Sequence, residues 1–153
     1  ARTHTNPLTR EKCEAPLIQY HLGHHFMTDV LQLRFSLSVS SESEKYSLLY
    51  AILNGASDAL EIPRSDVNGL IFFQDSEPSF ILYDTTPGGS GHVEMIYNQL
   101  RPVFESALKR VAQCEGCAPD TSCYSCLRDY TNQKWHDILV RGLAADLLTK
   151  VLS

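Results

Sequence analysis

The sequence predicts an α+β domain: a small, mostly antiparallel sheet of about four strands, packed with helices and tied by a four-cysteine knot. Three observations carry that expectation. Apolar residues recur at helical spacing in three stretches, short apolar runs bounded by turn residues read as strands, and four of the five cysteines lie between positions 114 and 126. With 153 residues and 43% hydrophobic composition, the chain suits one domain over residues 1–153 with a core of its own.

Taken in order, "FMTDVLQLRFSLSV" (residues 26–39) alternates after residue 29, with Val30, Leu31, Leu33, Phe35, Leu37 and Val39 suggesting a long strand. Leu48, Leu49, Ile52, Leu53, Ala56 and Leu60 then recur at helical spacing, giving a helix over about 44–60 that Ser41 or Ser43 would cap. "GLIFFQD" and "FILYDT" flank "SEPS" and read as a hairpin. A second helical face, from Val93 through Ile96, Leu100, Phe104 and Ala107 to Val111, contains Pro102, which should kink it or start a new helix. Leu139, Leu143, Leu147 and Val151 mark a last helix.

Cys114, Cys117, Cys123 and Cys126 form a C-x2-C-x5-C-x2-C pattern. Each x2 spacing lets two sulfurs of one tight turn face the same ion, so two such turns supply a tetrahedral zinc site. The short spacer, with Pro119, Asp120, Thr121 and Ser122, reads as a turn. Disulfides fit poorly with a chain read as cytosolic, and the spacing matches no ferredoxin run. Four cysteines leave no open position for water, so zinc over residues 114–126 is expected to be structural. No H-x-E motif accompanies them, which excludes a zinc deaminase. Cys13 stands apart as a free or buried thiol.

Between the hairpin and the second helical face, "ILYDTTPGGSGHVEMI" passes through Gly88, Gly89 and Gly91. It lacks the Lys-Ser/Thr of a P-loop and the spacing of a dinucleotide fingerprint. The glycines are expected to supply positive φ or close packing for a tight connection. A helix N-terminus there would offer N–H groups to an anion. Asp84 and His92 flank the turn, and an acid/base pair between them is the basis of a less favoured hydrolase or nuclease reading. His21, His24 and His25 cluster in "YHLGHHF", but Gly23 and the absence of H-E-x-x-H argue against a second metal site.

The formal net charge of -5 argues against a freely acting basic nucleic-acid binder. Residues 101–153 nevertheless hold 7 basic against 6 acidic side chains, where residues 1–100 hold 6 against 12. In that last third, Arg128, Lys134 and Arg141 are candidate phosphate contacts, and Tyr124, Tyr130 and Trp135 candidate stacking faces. No apolar run approaches membrane-spanning length and no secretory h-region opens the chain, so a cytoplasmic protein without a membrane partner is expected. Ala1 in place of Met reads as the start of a piece of something larger.

"LGHHFMTDVLQLRF", "LYDTTPGGSGHVEMI" and the cysteine knot ending in "CYSCLRDYTNQKWHDILVRGLAADLL" together resemble the MrfA-type zinc-binding domain, formerly a domain of unknown function, over about residues 21–152. That family sits at the C-terminal end of superfamily 2 DNA helicases and in DISARM-type anti-phage proteins. The resemblance implies zinc on Cys114, Cys117, Cys123 and Cys126, a Gly-rich turn at Asp84 to Gly91, and a polar stretch at Arg128, Asp129, Asn132 and His136. No Walker A, DEAD-type box or helicase arginine motif occurs in the sequence, so ATPase activity is not implied for it. The function expected is a non-catalytic accessory domain of a helicase-related DNA-processing or anti-phage protein, positioning nucleic acid. The alternative is protein docking onto a helicase motor domain, in the same chain or a partner subunit.

Overall fold

The computed structural model describes residues 5–12, 20–74 and 77–153. Its elements run β1 (Val30–Leu33), α1 (Glu42–Leu60), β2 (Val67–Gln74), β3 (Glu77–Asp84), α2 (His92–Asn98), α3 (Leu100–Ala112), a 3-10 turn (Gln133–Trp135) and α4 (Arg141–Leu152). The sheet is antiparallel in the order β1-β3-β2. Cys13 lies outside the described residues.

The α+β class holds, with three strands among the described residues rather than about four. The long first strand is short because pairing stops at Leu33↔Phe80. Continuing it would bring Phe35 opposite Pro78, which has no N–H to offer the ladder. Phe35 instead packs edge-on to Phe80, ring centroids 5.3 Å apart, and Leu37 and Val39 join the core without pairing. Their alternation reports burial, not a ladder. Pro78 and Ser79, expected in the hairpin turn, belong to β3 and face Phe73 and Phe72.

α1 begins at Ser41, not Ser43. Glu44 N donates to Ser41 Oγ at 3.1 Å while Ser41 N donates to Glu44 Oε2 at 2.9 Å, a reciprocal capping box. The Ser41 N–H in turn holds the Glu44 carboxyl below its ordinary range, other bonds to Ser40 and Ser41 adding to it against partial burial. Ser43 donates to Ile138 O, tying α1 to the approach to α4. From Ser47 to Ala56 α1 is buried all round, because α3, α4 and β2 pack against it from different sides. At Gly55 a Cβ would sit 2.6 Å from Ala107 Cβ and from Val103 O, so α1 and α3 approach to backbone contact there.

The second helical face is two helices. Gln99, at φ -133 and ψ 36, breaks it, and Pro102 falls in the first turn of α3, where a missing N–H leaves no hydrogen bond unmade. α4 buries Ala144, Leu147 and Leu148, with Leu139 buried ahead of it and Leu143 only half-buried. The stripe is therefore shifted from the expected one, because the buried Leu139 lies outside the helix. No helix among the described residues is long and apolar enough to cross a membrane.

Candidate metal centre

The four cysteine sulfurs sit between the end of α3 and the start of α4, all within 4.8 Å of one another. Sγ–Sγ separations are 4.0 Å for Cys114–Cys117, 3.5 Å for Cys114–Cys123, 3.7 Å for Cys117–Cys126 and 3.8 Å for Cys123–Cys126. A tetrahedron with metal–sulfur distances of about 2.3 Å has edges of about 3.8 Å, so the donor set fits zinc in size as well as in chemistry. Burial pushes the Cys126 thiol up to about 12 and raises that of Cys117. Burial acts in the same sense on Cys123, but the Ser125 N–H and the neighbouring sulfurs outweigh it and bring that thiol down to about 6. Four sulfurs so close cannot all ionise unaided; a dication is what lets them.

The knot is fastened to the helices through its carbonyls. Asn54 Nδ2 of α1 and Arg110 Nε of α3 both donate to Cys126 O, at 2.9 and 3.0 Å. Arg141 donates to Cys117 O from Nε and Nη2, at 3.2 and 3.0 Å, and to Val111 O from Nη1 at 2.9 Å. The first N–H groups of α4 close on the spacer, Arg141 N on Thr121 O and Gly142 N on Pro119 O, both at 2.9 Å. Those donors have no intrahelical partner, and the spacer supplies one for each. A Cβ at Gly142 would lie 2.7 Å from Pro119 O, so only glycine permits the approach.

The six candidate nucleic-acid residues divide. Arg141 is engaged by three carbonyl bonds, and Arg128 donates to Ser122 Oγ and His136 O. Trp135 stacks on Tyr46 at 3.6 Å between centroids. Arg141 and Trp135 are thus tied into the fold, while Arg128 is anchored through Nε and Nη2 and remains half-buried. Lys134 stands 4.7 Å over the Trp135 ring, and Tyr124 and Tyr130 are exposed. Asn132, wholly buried, donates from Nδ2 to Leu127 O, and its Oδ1 accepts from the Asp129 N–H and from His136 Nε2.

The Gly-rich turn is a second organised element. Gly88, Gly89 and Gly91 have φ of 89, 82 and 80, and a Cβ at Gly89 would collide with the Asp29 carboxylate. Buried Asp84 accepts from Ser90 N at 2.7 Å, Val93 N at 3.1 Å and His92 N at 3.2 Å. Burial would raise its pKa, but the N–H groups of Ser90, Val93, Gly91 and His92 hold it below the usual carboxylate range. The His92 ring bonds Ser90 Oγ through Nδ1 at 2.9 Å. Asp84 therefore meets the backbone N–H of His92, while the His92 imidazole is turned to Ser90.

A family model for the MrfA Zn-binding domain matches residues 48–127, more than half of the chain. The chain belongs to the MrfA Zn-binding domain family. The matched segment holds all four cysteines and the Gly-rich turn. The chain is 29% identical over 165 residues to Druantia protein DruE of Escherichia coli (strain UMEA 4076-1), covering 94% of this chain and 9% of that protein. Two crystal structures of DUF1998 helicase MrfA are similar in fold. The one bound to DNA has a TM-score of 0.64 at 19% identity over 97% of this chain and 20% of its own. The one bound to DNA and AMPPNP has a TM-score of 0.61 at 20% identity over 95% and 18%. This MrfA Zn-binding domain thus spans a tenth to a fifth of the proteins it matches.

Sequence reasoning passed over Asn54, Arg64 and Arg110. The available signal was Asn54 itself, an amide inside the apolar stripe of α1, since a polar group at a core position needs a buried partner. Replacing Arg141 with lysine keeps the charge but loses the fork that spans Cys117 O and Val111 O. The expected loss is about 2 kcal/mol in urea unfolding, with weaker zinc retention against a chelator; an unchanged midpoint would contradict the clamp.

Proposed function

We propose that this chain is a non-catalytic, zinc-stabilised accessory domain of a helicase-related DNA-processing or anti-phage protein, and that it docks onto the helicase motor domain through the open face of its sheet. One observation carries the docking. The sheet buries Leu33, Phe80 and Leu82 against the helices, yet its other face also presents apolar side chains: Val30, Leu70 and Phe72 are exposed, Phe72 at 53%. Half-buried Ile81 and Tyr83 lie between them. A sheet face left to water carries polar residues at such positions. The motor domain is the occupant the comparisons favour, because this chain covers a fifth or less of each similar chain and the solved ones are named as helicases.

The test is co-purification of the zinc-loaded chain with the motor domain of its parent protein. Phe72→Asp should abolish the complex and leave the thermal midpoint of the isolated domain unchanged. Wild-type co-purification by that variant would remove the sheet from the interface. Positioning of nucleic acid is the second reading. It is favoured by Tyr124 and Tyr130, which stand exposed at the zinc end rather than on the sheet.

A further inference from the structure

Beside the knot lies an open cleft of about 380 Å³, walled by α1, α3 and the chain after Cys123. Tyr124 and Tyr130 line it with exposures of 63% and 85%. Such rings on rigid mounts are surfaces for another flat ring. Tyr124 lies between two zinc-site cysteines, its knuckle closed by the Cys126, Leu127 and Arg128 N–H groups on Cys123 O, and its ring meets His136 edge-on at 5.5 Å. Tyr130 rides a turn in which Asp129 Oδ1 accepts from Thr131 N and Asn132 N at 2.7 and 3.0 Å.

The floor of the cleft is cationic in excess. Arg110 is neutralised by Asp58 at 2.8 Å and Arg64 by Asp129 at 3.4 Å. Arg128, on the same wall, bonds only neutral oxygens and forms no ion pair among the described residues. Exposed aromatic faces next to an uncompensated guanidinium match a nucleotide, a flat base joined to an anion. Bases inside a duplex are stacked on one another and offer no free face, so the match is to an unpaired strand.

We infer that this cleft binds single-stranded nucleic acid, with unpaired bases stacking on Tyr124 and Tyr130 and a phosphate drawn toward Arg128. The inference rests on the second reading above and names its site. It reconciles strand binding with a net charge of -5, since the contact is local and mostly stacking. Affinity should accordingly fall only shallowly with salt, with a log–log slope of about -0.7 per phosphate contacted.

The experiment is fluorescence anisotropy of the zinc-loaded chain with labelled oligo(dT), and with the same strand annealed to oligo(dA), at low and near-physiological salt. Tyr124→Ala and Tyr130→Ala should each weaken single-strand binding about tenfold, and Tyr→Phe at either position should retain it. Both side chains are exposed, so zinc content and thermal midpoint should stay at wild type. Single-strand binding that both alanine variants preserve, or that the duplex matches, overturns the cleft while leaving nucleic-acid positioning in place. Absence of binding to either DNA at low salt overturns both.

Discussion

Replacing Cys117 with serine should release the metal and cost most of the domain's stability, which for a chain of this size is about 5–15 kcal/mol. The loss is expected to be concentrated after α3. Cys117 O is the double acceptor of Arg141, and Arg141 also holds Val111 O at the end of α3. Freeing the knuckle therefore releases α4 and the spacer that covers its first N–H groups. Hydrogen exchange should show residues 114–153 opening while α1 and the hairpin stay protected longer. The same region should respond to a chelator and to acid, because thiolates must be protonated to leave the metal, so retention falls as pH falls. A Cys117→Ser protein with wild-type melting would sink the structural role of the site.

Asp84→Ala should cost roughly 3–4 kcal/mol, since three short backbone N–H bonds to one buried carboxylate lose their acceptor together. Asp84→Asn should cost less, its remaining oxygen still accepting but its amide facing donors. The pH dependence has a definite sign. The folded pKa of Asp84 lies below its unfolded value, so its contribution is complete above the unfolded pKa of about 4 and is lost as pH falls through the folded value. The stability gap between wild type and Asp84→Asn, measured in urea, should be largest near neutrality and shrink in acid. A gap constant with pH would mean that the charge is not what the N–H groups recognise.

Both predictions fall on residues visible in the sequence, but for different reasons. The cysteine pattern is local: spacings of three residues set each knuckle, so the metal was legible before any fold was known. Asp84 was legible as a member of an unusual turn, but its role was not, since an acid beside a histidine also admits the less favoured acid/base reading. The backbone decides, by aiming the Ser90, His92 and Val93 N–H groups at the carboxylate and the His92 ring at Ser90. The first strand is shorter than its alternation predicts for a related reason. Alternation at Phe35, Leu37 and Val39 records which side chains are buried, and a partner strand is a separate requirement that Pro78 denies.

The sequence by itself determined the α+β class, the hairpin, α1 and its capping serine within two residues, the position of a break near Pro102, and the zinc ligand set. All of these follow from short-range rules: periodicity, caps, turn chemistry and ligand spacing. The tertiary structure alone decided which cations are available. Arg141 finds its acceptors 24 and 30 residues earlier in the chain, and Asn54 reaches Cys126 across 72 residues. A guanidinium has one composition whether it faces water or a carbonyl. Only packing of α3, α4 and the knot around a common metal site settles which it meets.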